Sequence, residues 1–512
     1  MPAIKPELSR MLINISSIAD QHNLEAYIVG GLVRDWLLGR DTCDIDITVN
    51  KDVRMVAREV ARSIDGKYVL LDDANNVVRV ITAGFEQTWQ LDFTEFAADL
   101  NHDLARRDFT INAMAVDLPG FISGSPHLID PFSGEDDIKN KLIRAVGQQV
   151  FEEDAVRLLR AVKFAAELGF TVEPETEKSI VNNSGLIRTV PGEKLRDELL
   201  RLLSLTCFYD QLRYLDELSL LTEIIPELSQ MKDIAQPKEH HWDVFNHSLE
   251  TVAAIEFLLL ERSWPYGKQD LLSEASWLDD IRSHFREEIS SGSNRLQMLK
   301  LGGLLHDIAK PQAKTVDDTG RIRFIGHPKY GAEIVAEILN RLRFSNREVR
   351  LVKNLVYYHL RPVQMASDGI PSSRAVYRYF RDAADDGIDI LVLALADYLA
   401  TCGPEIGIAN WREHCELIEY IMNENRKQQT EVLSERLVDG HDIMQSFGLT
   451  QGPLIGKLLD LVREAHAAGE ISTRDEAMSL VRKELEMNHS GGLSNSCHME
   501  NNINLHALMT RE

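Results

Sequence analysis

The chain has 512 residues, 56 Lys+Arg against 80 Asp+Glu for a formal charge of −24, and 44% hydrophobic residues. That is the profile of a soluble, acidic globular protein with room for about three or four structural units, so a single small binding module is excluded. The charge argues against indiscriminate coating of nucleic acid, which needs Lys and Arg to displace counterions, but leaves open a local basic groove.

The first 150 residues alternate short β-rich runs (Ala26–Val29, Ile45–Val49, Tyr68–Leu71, Val77–Ile81, Trp89–Phe93) with glycine turns and helical patches. From Glu152 a helical period takes over, carried by Val156, Leu159, Val162, Phe164 and Ala166, and it persists almost to the end. The expected fold class is therefore α+β: a head with a small mixed sheet, followed by a long all-α body. A break near Met231–Lys238 and another near Lys427–Thr430 divide the chain into 1–150, 151–232, 233–427 and 428–487. The Asn-, Ser- and Gly-rich stretch 488–512 is expected to be disordered. No internal repeat is present. The longest apolar runs, such as ILVLALA at Ile390–Ala396, fall short of the roughly 18–20 residues of a bilayer span, so no membrane helix is expected. No export signal opens the chain, and the five cysteines are scattered, odd in number and free of CxxC pairs, which suits reduced thiols in the cytoplasm.

Chemistry first shows itself at Ile28–Asp35 (IVGGLVRD) and Asp44–Asp46 (Asp-Ile-Asp opening IDITV). A glycine pair after a strand is usually a plain turn, and a lone D-x-D usually faces solvent; together they are sharper. Side chains two apart on a strand share a face, so Asp44 and Asp46 can grip the same divalent ions while Ile45 packs inward. Gly30 and Gly31 let backbone N–H groups approach a triphosphate, Arg34 adds positive charge, and Asp35 buttresses the turn. A third acid at Asp92 would complete a two-metal site for in-line attack on an α-phosphate.

These segments, with DLARRDFTINAMAVD (Asp103–Asp117), IDPFSGEDDI (Ile129–Ile138), EEDAVRLLRAVKFAAELGF (Glu152–Phe170) and PGEKLRDELLRLL (Pro191–Leu203), resemble the ordered motif set of class II tRNA nucleotidyltransferases and bacterial poly(A) polymerases, of the polymerase-β-like superfamily. The likeness covers roughly the first 205 residues. It implies that Asp44 and Asp46 bind catalytic Mg²⁺ and help activate an RNA 3′-hydroxyl, and that Gly30, Gly31 and Arg34 hold the triphosphate. By the same resemblance Arg107, Asp108 and Asn112 position the nucleotide and read its ribose, Arg144 lies in the stretch joining head and neck, and Asp154 and Arg157, with Arg160 one turn on, contact the base edge. Residues i and i+3 of a helix are neighbours, so an Asp154 acceptor beside an Arg157 donor fork would suit the edge of C or A; an ordinary surface ion pair is the bland alternative. Lys163 and Lys194 stand where the family commonly shows Arg, keeping charge but losing bidentate geometry. Only ten residues separate Asp92 from Asp103, where full CCA-adding members carry a longer loop that helps switch from C to A. That points toward a partial enzyme or altered base choice.

A second constellation follows: HHWDVFNHSLE (His240–Glu250), LLHDIAKP (Leu304–Pro311), GHPKYGAE (Gly326–Glu333), YYHLRP (Tyr357–Pro362) and LALADYLA (Leu393–Ala400). Burying an adjacent His306 and Asp307 in an apolar helix is costly unless they ligate metal or pair. The order His247, His306-Asp307, His327, His359, Asp397 is similar to HD-domain phosphohydrolases, and the two extra histidines to the variants that hold two metals. The resemblance implies a bridging Asp307 and metal-assisted attack of water on phosphorus. Lys310, one turn on, can bind a phosphate oxygen or simply face solvent. The ligands suit Mn, Fe, Ni, Co or Mg without choosing among them. Residues Leu437–Val481 resemble the tail region of HD-bearing tRNA nucleotidyltransferases, with a helix start after Gly452-Pro453.

Three functions compete. The first is a template-independent nucleotidyltransferase that adds C and/or A from CTP or ATP to tRNA 3′ ends, with an associated HD phosphodiesterase or phosphatase. The second is a poly(A) polymerase, disfavoured by the HD body and by the acidic charge. The third is mainly a phosphohydrolase with a nucleotide- or RNA-sensing head, disfavoured because Asp44, Asp46 and Asp92 are all present. Oligomeric state is not legible.

Overall fold

The computed structural model describes residues 6–73, 76–82, 88–96, 99–367, 369–434 and 436–491. The chain separates into two compact units, one formed by residues up to Gln230 with Ile338–Phe344, the other by Met231–Glu337 with Ser345 onward.

The first unit is built on a seven-stranded sheet of β1 (Ala26–Val29), β2 (Asp44–Val49), β3 (Lys67–Asp72), β4 (Val77–Ile81), β5 (Gln90–Glu95), β6 (Ala115–Asp117) and β7 (Leu128–Ile129), in the order β3-β4-β5-β2-β1-β6-β7. Only β2 and β5 pair in parallel, so the sheet is mixed, as expected for the head. Alternation along β2 sends Ile45, Ile47 and Val49 to full burial and turns Asp44 and Asp46 to the other face. Helices α1 (Pro6–Gln21) and α3 (Val53–Ser63) pack on each other, and α3 on β4. The buried stripe Val53, Val56, Ala57, Val60, Ala61 has the spacing of one helix face, and each fully buried Val contributes about 1.5–3 kcal/mol. Between them α2 (Gly31–Leu38) springs directly from β1 through Gly30.

The helical period read from Glu152 onward is not one helix. A short turn, Val150–Glu153, ends at Asp154, which is extended (φ −150°, ψ 102°), and α4 begins only at Arg157 and runs to Leu168. The Asp154 carboxylate accepts the Val156 N–H at 3.2 Å, a local bond that competes with helix continuation. The premise that Asp154 and Arg157 share a helix face is thus corrected. Beyond lies α5 (Gly192–Ser204).

The second unit contains α6 (Val244–Leu260), α7 (Arg295–Leu305), α8 (His327–Arg341, its last turn counted with the first unit), α9 (Asn346–Tyr358), α10 (Ser373–Ala383), α11 (Gly387–Cys402), α12 (Ile408–Ser434), α13 (Gly440–Phe447), α14 (Pro453–Ala467) and α15 (Arg474–Gly491). Helix α6 is buried almost all round and packs against α7 and α11, so its sequence is apolar without a polar stripe. Two hairpins interrupt the expected all-helical body: Glu288–Ser290 with Ser293–Asn294, and Lys314–Val316 with Ile322–Phe324. The second turns because the Asp317 carboxylate accepts the N–H groups of Thr319 and Arg321 and Gly320 takes φ +80°. By length and composition alone the stretch Ser373–Glu405 is long and apolar enough to cross a membrane, yet 67% of its most apolar window is buried inside the molecule. It comprises α10 and the core helix α11. Helix α15 takes in residues 488–491 of the expected tail; 492–512 lie outside the described residues.

Candidate active site and metal centre

The cleft of the first unit starts at the β1–α2 turn. Gly30 holds φ +69°, and a Cβ there would lie 2.6 Å from Asp46 Oδ2 and 2.7 Å from Arg107 Nη1, so the position admits glycine alone. Strand register then lines up Val29, Asp46, Asp92 and Arg79 as one row across β1, β2, β5 and β4. Arg79 grips Asp92 through two bonds, Nε to Oδ1 and Nη2 to Oδ2, both 2.7 Å. Asp92 therefore stands as a paired carboxylate, and serving as the third metal ligand would require Arg79 to release it. Desolvation at the cleft floor raises the Asp46 pKa; Arg107 opposes the shift, and the neighbouring Asp92 and Asp44 add to it. Such mutual repulsion among hard oxygen donors is what a divalent cation relieves.

The facing wall is a chain of charge-assisted bonds. Arg34 forks onto Asp35 (2.9 and 3.0 Å) and donates to Asn112 Oδ1 (2.9 Å); Asn112 donates to Asp108 (3.1 Å), and Arg160 Nε donates to the other Asp108 oxygen (2.8 Å). Burial works against the Asp108 charge, but Arg160 and these hydrogen bonds hold its pKa below the ordinary value. Arg34, Arg160 and Lys163 lie 5.2, 5.1 and 4.4 Å from the centre of the Phe164 ring. Arg107 pairs with Asp103 at 3.4 Å. Arg157 is pinned by the carbonyls of Arg106 (2.6 Å) and Val150 (3.2 Å), which fixes its fork without help from Asp154. Every residue expected to bind nucleotide or catalytic metal in the head and neck, from Gly30, Gly31, Arg34, Asp44 and Asp46 through Asp92, Arg107, Asp108 and Asn112 to Asp154, Arg157 and Arg160, lines one cleft of about 760 Å³. Its lining holds nine cations against seven carboxylates, the local basic groove that an acidic chain needs to receive a polyanion. Arg144 is not part of it, being paired with Asp137 and Glu173. Lys194 is exposed, whereas Lys163 pairs with buried Glu198 at 3.0 Å.

The second constellation gathers in the second unit. His247 comes from α6, His306 and Asp307 follow α7, His327 opens α8, His359 follows α9, and Asp397 lies on α11. Two triads share Asp307, one with His247 and His306 and one with His327 and His359, the ligand atoms of each lying within 4.8 Å of one another. His247 Nε2 is 3.0 Å from Asp397 Oδ1 and 3.2 Å from His306 Nε2; His327 Nε2 is 3.2 Å from Asp307 Oδ1 and 3.3 Å from His359 Nε2. His306, His327 and His359 each donate Nδ1–H to the carbonyl three residues earlier, at 2.7–2.8 Å. In the neutral rings this leaves the Nε2 lone pairs of His327 and His359 pointing together, an arrangement that calls for a cation between them. Burial, with His306 nearby, drops the His359 pKa to about 3, so this ring stays a neutral ligand. The donor set and its outer hydrogen bonds fit divalent-ion ligation, with one candidate group on each side of Asp307. Lys310 is buried and reaches both Asp307 Oδ2 (2.6 Å) and Gln236 (2.7 Å), which removes the solvated-surface alternative.

Family comparisons agree with this partition. The "Poly A polymerase head domain" matches residues 26–144, the "Probable RNA and SrmB- binding site of polymerase A" residues 169–232, and the "HD domain" residues 244–402. The chain is 33% identical over 467 residues to the A-adding tRNA nucleotidyltransferase of Deinococcus radiodurans, covering 90% of this chain and 95% of that one. The chain belongs to the tRNA nucleotidyltransferase family. It is also 30% identical to the CC-adding tRNA nucleotidyltransferase of Thermus thermophilus, over 89% of this chain and 93% of that one. A solved Thermotoga maritima CCA-adding enzyme complexed with tRNA shares the fold, at TM-score 0.61 and 20% identity over 94% and 97% of the two chains. In this nucleotidyltransferase sequence reasoning missed Arg79, Arg106, Arg40 and Arg201 in the cleft, and Gln236 beside the HD centre. Arg79 left a signal, a lone arginine inside the apolar strand VVRVI; the others lie on turns or helix faces where arginine is ordinary.

Proposed function

We propose that this nucleotidyltransferase is a partial enzyme, extending tRNA 3′ ends by CC or by the terminal A from CTP or ATP in the cytoplasm. The short connection between Asp92 and Asp103 carries this reading. The A-adding and CC-adding relatives matched along nearly their whole length support it. In the head, Gly30 and Gly31 bring backbone N–H groups to the triphosphate, Arg34 and Arg107 offset its charge, and the Asn112–Asp108–Arg160 chain holds the sugar side of the cleft rigid. Asp154 and the carbonyl-pinned Arg157 meet the base edge with acceptor and donors. Mg²⁺ held by Asp44 and Asp46 would lower the pKa of the RNA 3′-hydroxyl and neutralise charge developing on the α-phosphate.

The HD centre is a separate phosphohydrolase. His247, His306, Asp307 and Asp397 would hold one divalent ion, and Asp307, His327 and His359 a second, supplying Lewis acidity toward water and a phosphate ester. Against burial, His306 and Lys310 together hold the Asp307 pKa down, and Lys310, between Asp307 and Gln236, offers positive charge to phosphate. Asp397, 19% exposed where the other ligands are at most 6%, marks the open side.

A single-nucleotide extension assay with Mg²⁺ tests the reading, using tRNA transcripts ending at the discriminator base, at C and at CC, with labelled CTP or ATP offered separately and together. Addition that stops after CC, or one A on a CC end only, is expected. Complete CCA synthesis contradicts the partial reading, and long A tracts on any RNA would favour poly(A) synthesis.

A further inference from the structure

A cavity of about 570 Å³ lies within the second unit between α10, α12, α14 and the segment 436–440 that leads into α13. Each helix contributes one face at i, i+3, i+4 spacing: Tyr377, Phe380 and Arg381 from α10, Gln428 from α12, Arg463 from α14. With Arg436 the lining carries three arginines against one carboxylate, Asp439, which is occupied capping the N–H groups of His441 and Asp442. Such a concentration of guanidinium groups, in a chain of charge −24, is a site for an anion. Arg381 donates Nε–H to Asp382 at 2.9 Å, which orients its guanidinium, while its Nη1 lies 3.4 Å from Glu464 and Arg463 reaches Asp460 at 3.4 Å, long contacts that leave these N–H groups to a phosphate. The two aromatic rings provide faces for a planar base. Gln428 is 4% exposed; its amide nitrogen donates to the Ser373 carbonyl at 2.8 Å, while its Oε1 has no donor among the described residues. A buried acceptor of this kind is costly, and a turn of the Gln428 side chain toward the cavity would bring it within reach of a ligand N–H. The volume falls within the range of small-ligand pockets.

We propose that this cavity is a second nucleotide site, taking a free mononucleotide whose phosphate sits among Arg381, Arg436 and Arg463, and whose base stacks on Tyr377 and Phe380 with an exocyclic amine on Gln428. The amine requirement favours adenine and cytosine over uracil. Neither the head chemistry nor the HD centre enters the argument.

The test is photolabelling of the full chain with radiolabelled 8-azido-AMP followed by tryptic mapping. Label is expected in the α10 or α14 peptides, displaced by AMP and CMP but not UMP, and reduced at least tenfold by Arg463→Gln with head labelling unchanged. Arg463 is half exposed and its contact with Asp460 is weak, so this variant is expected to fold; Gln428→Leu, a second variant, should lose the preference for AMP over UMP while still binding. Label confined to other peptides, labelling of α10 and α14 indifferent to both substitutions, or displacement by a CCA-ending oligoribonucleotide at lower concentration than AMP would overturn the proposal.

Discussion

Gly30 is the residue on which the cleft turns. Its positive φ and the two contacts under 3 Å that a Cβ would make leave no room for alanine without moving Asp46 or Arg107. Gly30→Ala is expected to cost about 1–3 kcal/mol in strain and to lower extension activity by roughly 100-fold or more, read as Tm and kcat. An alanine variant of near-normal activity would show that the turn does not set the Asp46 position. Arg160 makes a second case. Without it, Asp108 is buried without its cation, and Arg160→Leu should destabilise by about 2–3 kcal/mol, less than the roughly 3–5 of a fully buried pair because Arg160 is 32% exposed. The pH dependence follows from the depressed Asp108 pKa. Its contribution is present above the ordinary value of 3.8 and is lost as pH falls through the folded value, so the stability gap between wild type and variant should be full at pH 7 and close in acid. Denaturant titrations at several pH values measure this, and a gap that widens on acidification would refute the assignment.

At the scale of elements, the strands were the most legible feature. Period-two alternation in DIDITV and VVRVI places the β2 and β4 residues on their faces without any tertiary information, and all five expected runs in the head are strands. The Asp154 break was not legible, because apolar residues keep helical spacing across a segment whose local Asp–backbone bond stops the helix. Nor was the Arg79–Asp92 clamp, since the alternation within β4 and within β5 sets faces but not the register between the two strands. The gathering of the HD histidines and carboxylates was legible because burying so many of them in apolar helices has few other physical reasons. The helix break gives the proposed base-reading pair a specific geometry, with Arg157 held by carbonyls and Asp154 on extended backbone. Replacing both, as Asp154→Ala with Arg157→Ala, should blur the choice between CTP and ATP by at least tenfold while slowing phosphate chemistry less. Unchanged selectivity in single-turnover assays would count against their role as the base template.

For the molecule as a whole, net charge was a poor guide to where polyanions go. The chain is strongly acidic, yet the head cleft carries more cations than carboxylates, because paired arginines hold the carboxylates that would otherwise repel nucleotide. The two sets of candidate metal ligands share no residue and belong to separate compact units, so the account requires two independent chemistries in one chain. The most direct measurement is a crossed one on the full-length protein: Asp46→Asn and Asp307→Asn, each assayed for nucleotide addition to tRNA, for phosphodiester hydrolysis and for bound divalent metal by elemental analysis. The account predicts that Asp46→Asn loses addition and keeps hydrolysis and the HD metal, and that Asp307→Asn does the reverse; folded variants that each lose both activities together would contradict it.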